Sequence, residues 1–345
     1  MQRGDRMSES HNRVVRVKQF GGPEQLEIVD APLPTPRIGE VRVRVLASSL
    51  EYTDVTIRRH LYAQTIARRP PFVLGYDLVG EIDEIGPGVP EYRIGDRVAD
   101  LTVTGSNASY RTLRAEDLVR VPAGVDPAEA SAVILSWTTA YQLLHRTACV
   151  RPGQRALVQG AAGAVGQALV VLGKMAGLEL WCTARAHHAP LLRELGATPI
   201  DYQHEQPPAG FFDVVFDGIG QDDFRGSYAA LAPGGLLCAY GYTATVGPEQ
   251  RLGAMLAGLT RVYLSHQLKT WIAGAGPRTS IYSINLMRAL HPQWFKEDLG
   301  KLFDMLASGA IHPRVAERIS FEQVIDAHRR VEAGGLEGKL VLCPN

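Results

Sequence analysis

The nine residues VQGAAGAVG, 158–166, follow the apolar run Ala156–Gln159 and lead into the helical pattern GAVGQALVVLGKMAG, 163–177. Gly160, Gly163 and Gly166 allow a tight turn and let the backbone approach a pyrophosphate, whose charge then sits at a helix N-terminus. A glycine triplet alone marks many structural turns. Here an apolar strand precedes it, an apolar helix follows, and a second strand pattern, Leu178–Thr183, comes within about thirty residues. That context predicts a dinucleotide-binding βαβ unit.

Working outward, strand and helix patterns alternate through LELWCTA, HHAPLLRELGA, FDVVFDG and GGLLCAYG, as in a parallel sheet covered by helices. Upstream the pattern changes. Val14–Gln19, Val41–Ala47 and Leu78–Ile85 are β-branched runs broken by Pro and Gly, including the connection APLPTPRIGE at 31–40. Closely punctuated short strands predict a compact barrel. Between the two styles lie a helix starting near Asp126 and a second from about Thr138 to Cys149. The tail from Leu302 combines helix, strand, helix and a last strand, KLVLCP, which periodicity alone assigns to neither part.

The end of Leu178–Thr183 bears on the choice of dinucleotide. An NAD site normally offers a carboxylate to the ribose 2′-hydroxyl there. This chain instead runs Thr183-Ala184-Arg185-Ala186-His187-His188. Arg185 and His188 can meet a 2′-phosphate as charge-assisted donors, which favours NADPH; the alternative is a solvated loop with an idle Arg.

Composition excludes several classes. The 345 residues are 46% hydrophobic and 21% charged, with 36 Lys plus Arg against 36 Asp plus Glu. No basic excess exists to neutralise nucleic-acid phosphates or to draw the chain to an anionic membrane. Cys149, Cys182, Cys238 and Cys343 form no CxxC pair, so neither a local zinc knuckle nor a disulfide framework is expected. The polar start MQRGDRMSESHNR lacks a signal-peptide core, and no apolar run reaches membrane-spanning length, which leaves a cytoplasmic protein as the expectation.

The chain resembles the medium-chain dehydrogenase/reductase superfamily, in its zinc-independent quinone-reductase and enoyl-reductase branch. The likeness rests on LEYTDVTIRRHLY (50–62), FVLGYDLVGEIDEIGPGV (72–89), GDRV (95–98), SWTTAYQLL (136–144), VQGAAGAVG, LRELGATPIDY (192–202), FDGIG (216–220) and GKLVL (338–342). The last third is most similar to the vesicle amine transport protein-like subgroup.

This resemblance implies an α/β protein with a GroES-like β-barrel domain, 14–137 together with 303–345, and a Rossmann doubly wound parallel-sheet domain, 138–302. Residues 1–13 are expected to form a flexible tail. It further implies cofactor contacts at Thr139, Gly160, Gly163, Ala164, Val165, Thr183, Arg185, His188, Tyr202, Gly218, Gly241 and Lys339, and a homodimer acting on a small molecule.

Zinc-dependent relatives carry Cys at Glu51, a His-Glu pair at Tyr76-Asp77 and a four-cysteine lobe where residues 98–110 read VADLTVTGSNASY. Glu51 and Asp77 alone do not make the three-ligand set of a catalytic zinc, so no metal is expected.

Three residues are candidates for the chemistry. Tyr62 either orients and protonates an enolate or simply lines the cleft. Glu51 stands where zinc-free relatives usually have Asn; it is either fitted to one substrate or paired with Arg58 or Arg59. Asp54 serves the reaction or holds its loop. The segment Gly241–Pro277, with Tyr242, Tyr263, His266 and Trp271, either shapes an apolar pocket or forms a dimer surface. The expected activity is hydride transfer from NADPH to a quinone or activated alkene. The alternative is a non-redox binding protein that keeps the dinucleotide fold.

Overall fold

The computed structural model describes residues 11–242, 260, 264 and 276–344. The chain forms two units, one up to Ile134 and again from Arg314, the other Leu135–Pro313.

In the first unit the long strand Glu40–Ser49 is central. It pairs antiparallel with Leu78–Ile85, Tyr110–Arg114 and the last strand, Lys339–Leu342. Its alternation explains its two faces. Val41, Val43 and Val45 are at most 2% exposed and pack with Leu78, Ile82, Val98 and Leu113 inside the barrel, while Ala47, fully buried, packs with Ala128 and Val341. Arg42 and Arg44 point outward, where they bond Asp83 at 2.9 Å and Glu81 at 2.6 Å on the partner strand. Leu78–Ile85 continues to Arg97–Asp100 and Val119–Arg120, and Lys339–Leu342 to Val315–Ile319. The last strand, which periodicity left unassigned, therefore belongs to the barrel. A separate three-stranded sheet joins Leu26–Ala31, Asn12–Val17 and Phe72–Val73.

The second unit is a doubly wound α/β sheet. Six strands, all parallel, run in the order Thr198–Asp201, Glu179–Ala184, Arg155–Gln159, Phe212–Asp217, Leu231–Ala239, Arg278–Ile281. Arg155–Gln159 is interior, and its Ala156, Leu157 and Val158 are fully buried, as a strand covered on both faces requires. The chain leaves that strand towards Glu179–Ala184 and later returns on its other side with Phe212–Asp217. The crevice at the strands' carboxyl ends opens at such a reversal.

Several expected boundaries move. Helix Pro292–Ala307 runs through Leu302 without a break, so the return to the barrel falls at Arg314 instead of residue 303. The second helix ends at Gln142 and is followed by one wide turn, Leu143–Thr147. Of the expected tail, residues 1–10 lie outside the described residues, and Asn12 and Arg13 already belong to a strand. Most of Gly241–Pro277, including Tyr263, His266 and Trp271, also lies outside them.

Candidate functional site

The carboxyl edge of the parallel sheet gathers residues from five consecutive strand ends. Gly160 follows the strand Arg155–Gln159 and takes φ +69°, a left-handed conformation that favours glycine. Gly163 is the N-cap of helix Ala164–Met175 and supplies no side-chain cap, so the amides of its first turn, at Ala164 and Val165, remain for an outside acceptor. At Gly166 a Cβ would stand 2.6 Å from both Ala161 Cα and the Gly160 carbonyl oxygen. The turn therefore closes only without a side chain there. Open amides, a helix dipole and a backbone bare of Cβ atoms fit a pyrophosphate.

The neighbouring strand ends complete this edge. Thr183 is 3% exposed; its Oγ1 accepts the Gly160 amide at 3.2 Å. Arg185 is exposed, and its Nε donates to the Tyr202 hydroxyl at 3.1 Å, so two residues expected as cofactor contacts stand together past the ends of neighbouring strands. His188 is buried, at 8% exposure, with its ring against His187 rather than open on the loop beside Arg185. Gly218 and Gly241 close the other side. A Cβ on Gly241 would come 2.4 Å from the Gly218 carbonyl oxygen, so the ends of those strands touch through glycine. Thr139 is buried on helix Ser136–Gln142, where its side chain shares a hydrogen bond with Tyr282, just past the end of the strand Arg278–Ile281.

The first unit holds a second polar group of residues, assembled from distant parts of the chain. Glu51 caps helix Tyr52–Arg58, and its carboxylate takes the Lys339 ammonium as an ion pair. The two side chains are 9% and 6% exposed. Lys339, expected at the cofactor, is thus engaged by Glu51, and neither Arg58 nor Arg59 is the partner. Arg58 instead meets Glu332 at 3.0 Å, with Arg59 at 3.9 Å from the same carboxylate.

Asp54 lies one turn on. It accepts the Glu51 amide at 2.9 Å and the Gly75 amide at 3.3 Å, tying the helix start to the loop before Tyr76. Burial pushes its carboxyl up to about 7, against the pull of those two amides. Asp77 accepts the Ser49 amide at 2.9 Å, and its Oδ2 has no hydrogen-bond partner among the described residues. Burial, then the Glu51 carboxylate, hold it well above the usual carboxylate range. Tyr62 and Tyr76 share a hydroxyl–hydroxyl bond of 2.5 Å with their rings edge to face. Sequence reasoning placed Tyr62 but missed Tyr76 as its partner; the signal was Tyr76 at the position of a lost zinc ligand. Among the described residues no three His, Cys, Asp or Glu side chains group so as to hold a metal ion.

Comparison with known proteins agrees with this geometry. The alcohol dehydrogenase GroES-like domain model matches residues 37–123, and a model described as zinc-binding dehydrogenase matches 195–342. A quinone oxidoreductase of Pseudomonas aeruginosa is 30% identical over 341 residues, covering 96% of this chain and 99% of that protein. A 2-haloacrylate reductase of a Burkholderia species is 27% identical, over 95% and 98%. Among solved structures, the quinone oxidoreductase of Pseudomonas syringae superposes with a TM-score of 0.82 at 28% identity, covering 96% of this chain and all of that one. A mycobacterial protein solved with NADPH gives 0.79 at 27% identity, over 97% and 100%. A two-unit oxidoreductase architecture is thereby defined. The chain belongs to the medium-chain dehydrogenase/reductase superfamily, in its quinone oxidoreductase and enoyl reductase branch.

Proposed function

We propose that the protein is an NADPH-dependent reductase that passes hydride to a quinone or an activated alkene such as an enone or enoyl compound, without a catalytic metal. The observation that carries this is the carboxyl edge of the parallel sheet, where the open helix start at Gly163 lies in the same crevice as the Arg185–Tyr202 pair. The first suits a pyrophosphate and the second a 2′-phosphate, with no carboxylate at the position that selects NAD. The relative solved with NADPH supports the cofactor, and the relatives named quinone oxidoreductase and 2-haloacrylate reductase support acceptors of the two kinds.

Bound NADPH supplies the hydride. The protein's part is to place the acceptor and to deliver one proton, so that NADPH, a proton and the acceptor become NADP⁺ and the two-electron-reduced product. Tyr62, bonded to Tyr76, is our choice for the group that orients the acceptor oxygen or gives it a proton. At the positions where zinc-dependent relatives ligate metal, the residues are Glu51, Tyr76 and Asp77, and Glu51 is already bound to Lys339. Elemental analysis of protein purified without added metal should find far less than one zinc per chain; stoichiometric zinc removes the metal-free mechanism. We further propose a cytoplasmic homodimer acting on a small molecule, supported by resemblance alone; sedimentation at the mass of one chain removes the dimer.

The deciding experiment is NADPH oxidation against a panel of quinones and enones with wild type and Tyr62→Phe. Turnover that falls about 10²–10⁴-fold in the variant, with NADPH affinity kept, supports Tyr62 as acid. NADPH binding with no acceptor turned over would instead favour a binding protein on the same fold.

A further inference from the structure

A chain of side-chain hydrogen bonds, half-buried at Gln159 and buried at its other side chains, starts at the glycine turn and crosses three strands. The Gly160 amide donates to Thr183 Oγ1 at 3.2 Å. Thr183 Oγ1 donates to Gln159 Oε1 at 2.6 Å, and Gln159 Nε2 donates to Ser227 Oγ at 3.1 Å. Ser227 Oγ donates to Asp217 Oδ2 at 2.6 Å, while Asp217 Oδ1 accepts the amides of Ile219 at 2.8 Å and Gly220 at 3.0 Å. Thr183, Ser227 and Asp217 are each at most 3% exposed.

Direction is the informative feature. An amide has one proton to give and a hydroxyl one to pass on, so the sequence of donors runs one way, from Gly160 to the carboxylate. Asp217 ends it because an ionised carboxylate only accepts. The Gln159 amide can serve only with its oxygen towards Thr183 and its nitrogen towards Ser227, which fixes its orientation. The chain links Glu179–Ala184, Arg155–Gln159 and Phe212–Asp217, the three strands on either side of the sheet's reversal. The Thr183 carbonyl also accepts the Ala161 amide at 3.1 Å, so one residue holds both of the turn's first two amides.

We infer that Gln159, Ser227 and Asp217 are positioning residues for the dinucleotide turn, acting through Thr183 on the Gly160 and Ala161 amides. Thr183 itself then serves as the turn's anchor, its only hydroxyl proton spent on Gln159, rather than as a donor to the cofactor. The consequence is a turn whose remaining amides are aimed before the ligand arrives, which lowers the ordering cost of binding. This inference rests on the dinucleotide reading of the site above.

The test uses Thr183→Val, Thr183→Ser and Ser227→Ala in the full chain. Fluorescence titration of wild type with NADPH comes first: no binding overturns the dinucleotide reading, and this inference with it. Given binding, Thr183→Val and Ser227→Ala should each raise the KM and Kd for NADPH about tenfold, as expected for a broken buried bond. In Ser227→Ala the kcat at saturating NADPH should stay within about twofold, because this hydroxyl acts on the turn through Gln159 and Thr183 and does not touch the reacting atoms. Thr183→Ser, which keeps the hydroxyl, should return both constants close to wild type even if the other variants are less stable. Wild-type KM and Kd in Thr183→Val and Ser227→Ala, with only a lower Tm, would reduce the chain to scaffolding and overturn the inference. So would Thr183→Ser behaving like Thr183→Val.

Discussion

The glycine turn at 160–166 and the Glu51–Lys339 pair handle charge in opposite ways. At the turn, the helix start at Gly163 has no side-chain cap and its first amides wait for an acceptor from outside. At Glu51 the charge has its answer inside the barrel unit: Lys339 takes the carboxylate, and Asp54 accepts the Glu51 amide. A site built to receive a ligand's charge keeps donors open. A site that must hold its own charge through folding supplies the counter-ion. An open donor set costs little because water serves it until the ligand comes, whereas a buried carboxylate without its lysine has no such substitute.

The largest effect should come from breaking the closed pair. Lys339→Met leaves Glu51 buried without a partner and should cost about 3–5 kcal/mol of unfolding free energy. Adding Glu51→Gln should recover most of that loss, because the uncompensated charge disappears. Urea unfolding of the single and double variants decides it. A double variant as unstable as Lys339→Met would mean that the lysine stem's packing, not the ion pair, holds this corner.

These two regions also differ in how they show themselves along the chain. The turn lies within nine residues between an apolar strand and an apolar helix, so periodicity and glycine spacing expose it locally. Arg185 was visible for the same reason, as a strand-end residue at a fixed distance. The Glu51 group draws on residues 51, 54, 77 and 339, whose meeting depends on Lys339–Leu342 lying beside Glu40–Ser49. No local spacing carries that pairing. Sequence reasoning therefore listed Glu51 and Lys339 in separate roles and offered Arg58 or Arg59 as the partner. The chain from Gly160 to Asp217 was missed for a related cause: Gln159 and Ser227 are ordinary polar residues until the sheet brings their strands and helix together.

Charge at the open region is tested by Arg185→Ala. Loss of one charge-assisted bond to the 2′-phosphate should weaken NADPH binding by about 1.5–3 kcal/mol and leave NADH nearly unaffected. Equal losses for both dinucleotides in parallel titrations would remove Arg185 from cofactor choice. Steric closure of the same region is tested by Gly166→Ala. Its new Cβ would meet backbone at Ala161 and Gly160, so the turn must shift at a cost of about 1–3 kcal/mol, despite alanine's better helix propensity. A Tm equal to or above wild type, with unchanged NADPH affinity, would show that the turn has slack.

The last test separates Asp54 from its neighbours by pH. Burial raises its carboxyl from the ordinary range, near 3.8, to about 7 in the folded protein. Between about pH 4 and pH 7 the folded state therefore holds a proton that the unfolded chain has lost. Stability follows the difference in bound protons, unfolded minus folded, so this group makes unfolding free energy fall as pH rises through that window. Its contribution is fully present below about pH 4 and gone above about pH 7. The slope for one proton is at most about 1.4 kcal/mol per pH unit. Asp77 is displaced the same way chiefly by burial and by Glu51, with Asp54 a lesser cause, so most of its own slope cancels in the difference between wild type and an Asp54 variant. Asp54→Asn retains one oxygen for the Glu51 amide and removes the titration. The wild-type minus variant difference in unfolding free energy, measured in urea at half-unit steps from about pH 4 to about pH 8.5, should decline steadily to about pH 7 and then level off. A difference that stays flat across that range would show that Asp54 ionises in the folded protein as it does in water. Its two amide bonds would then outweigh its burial.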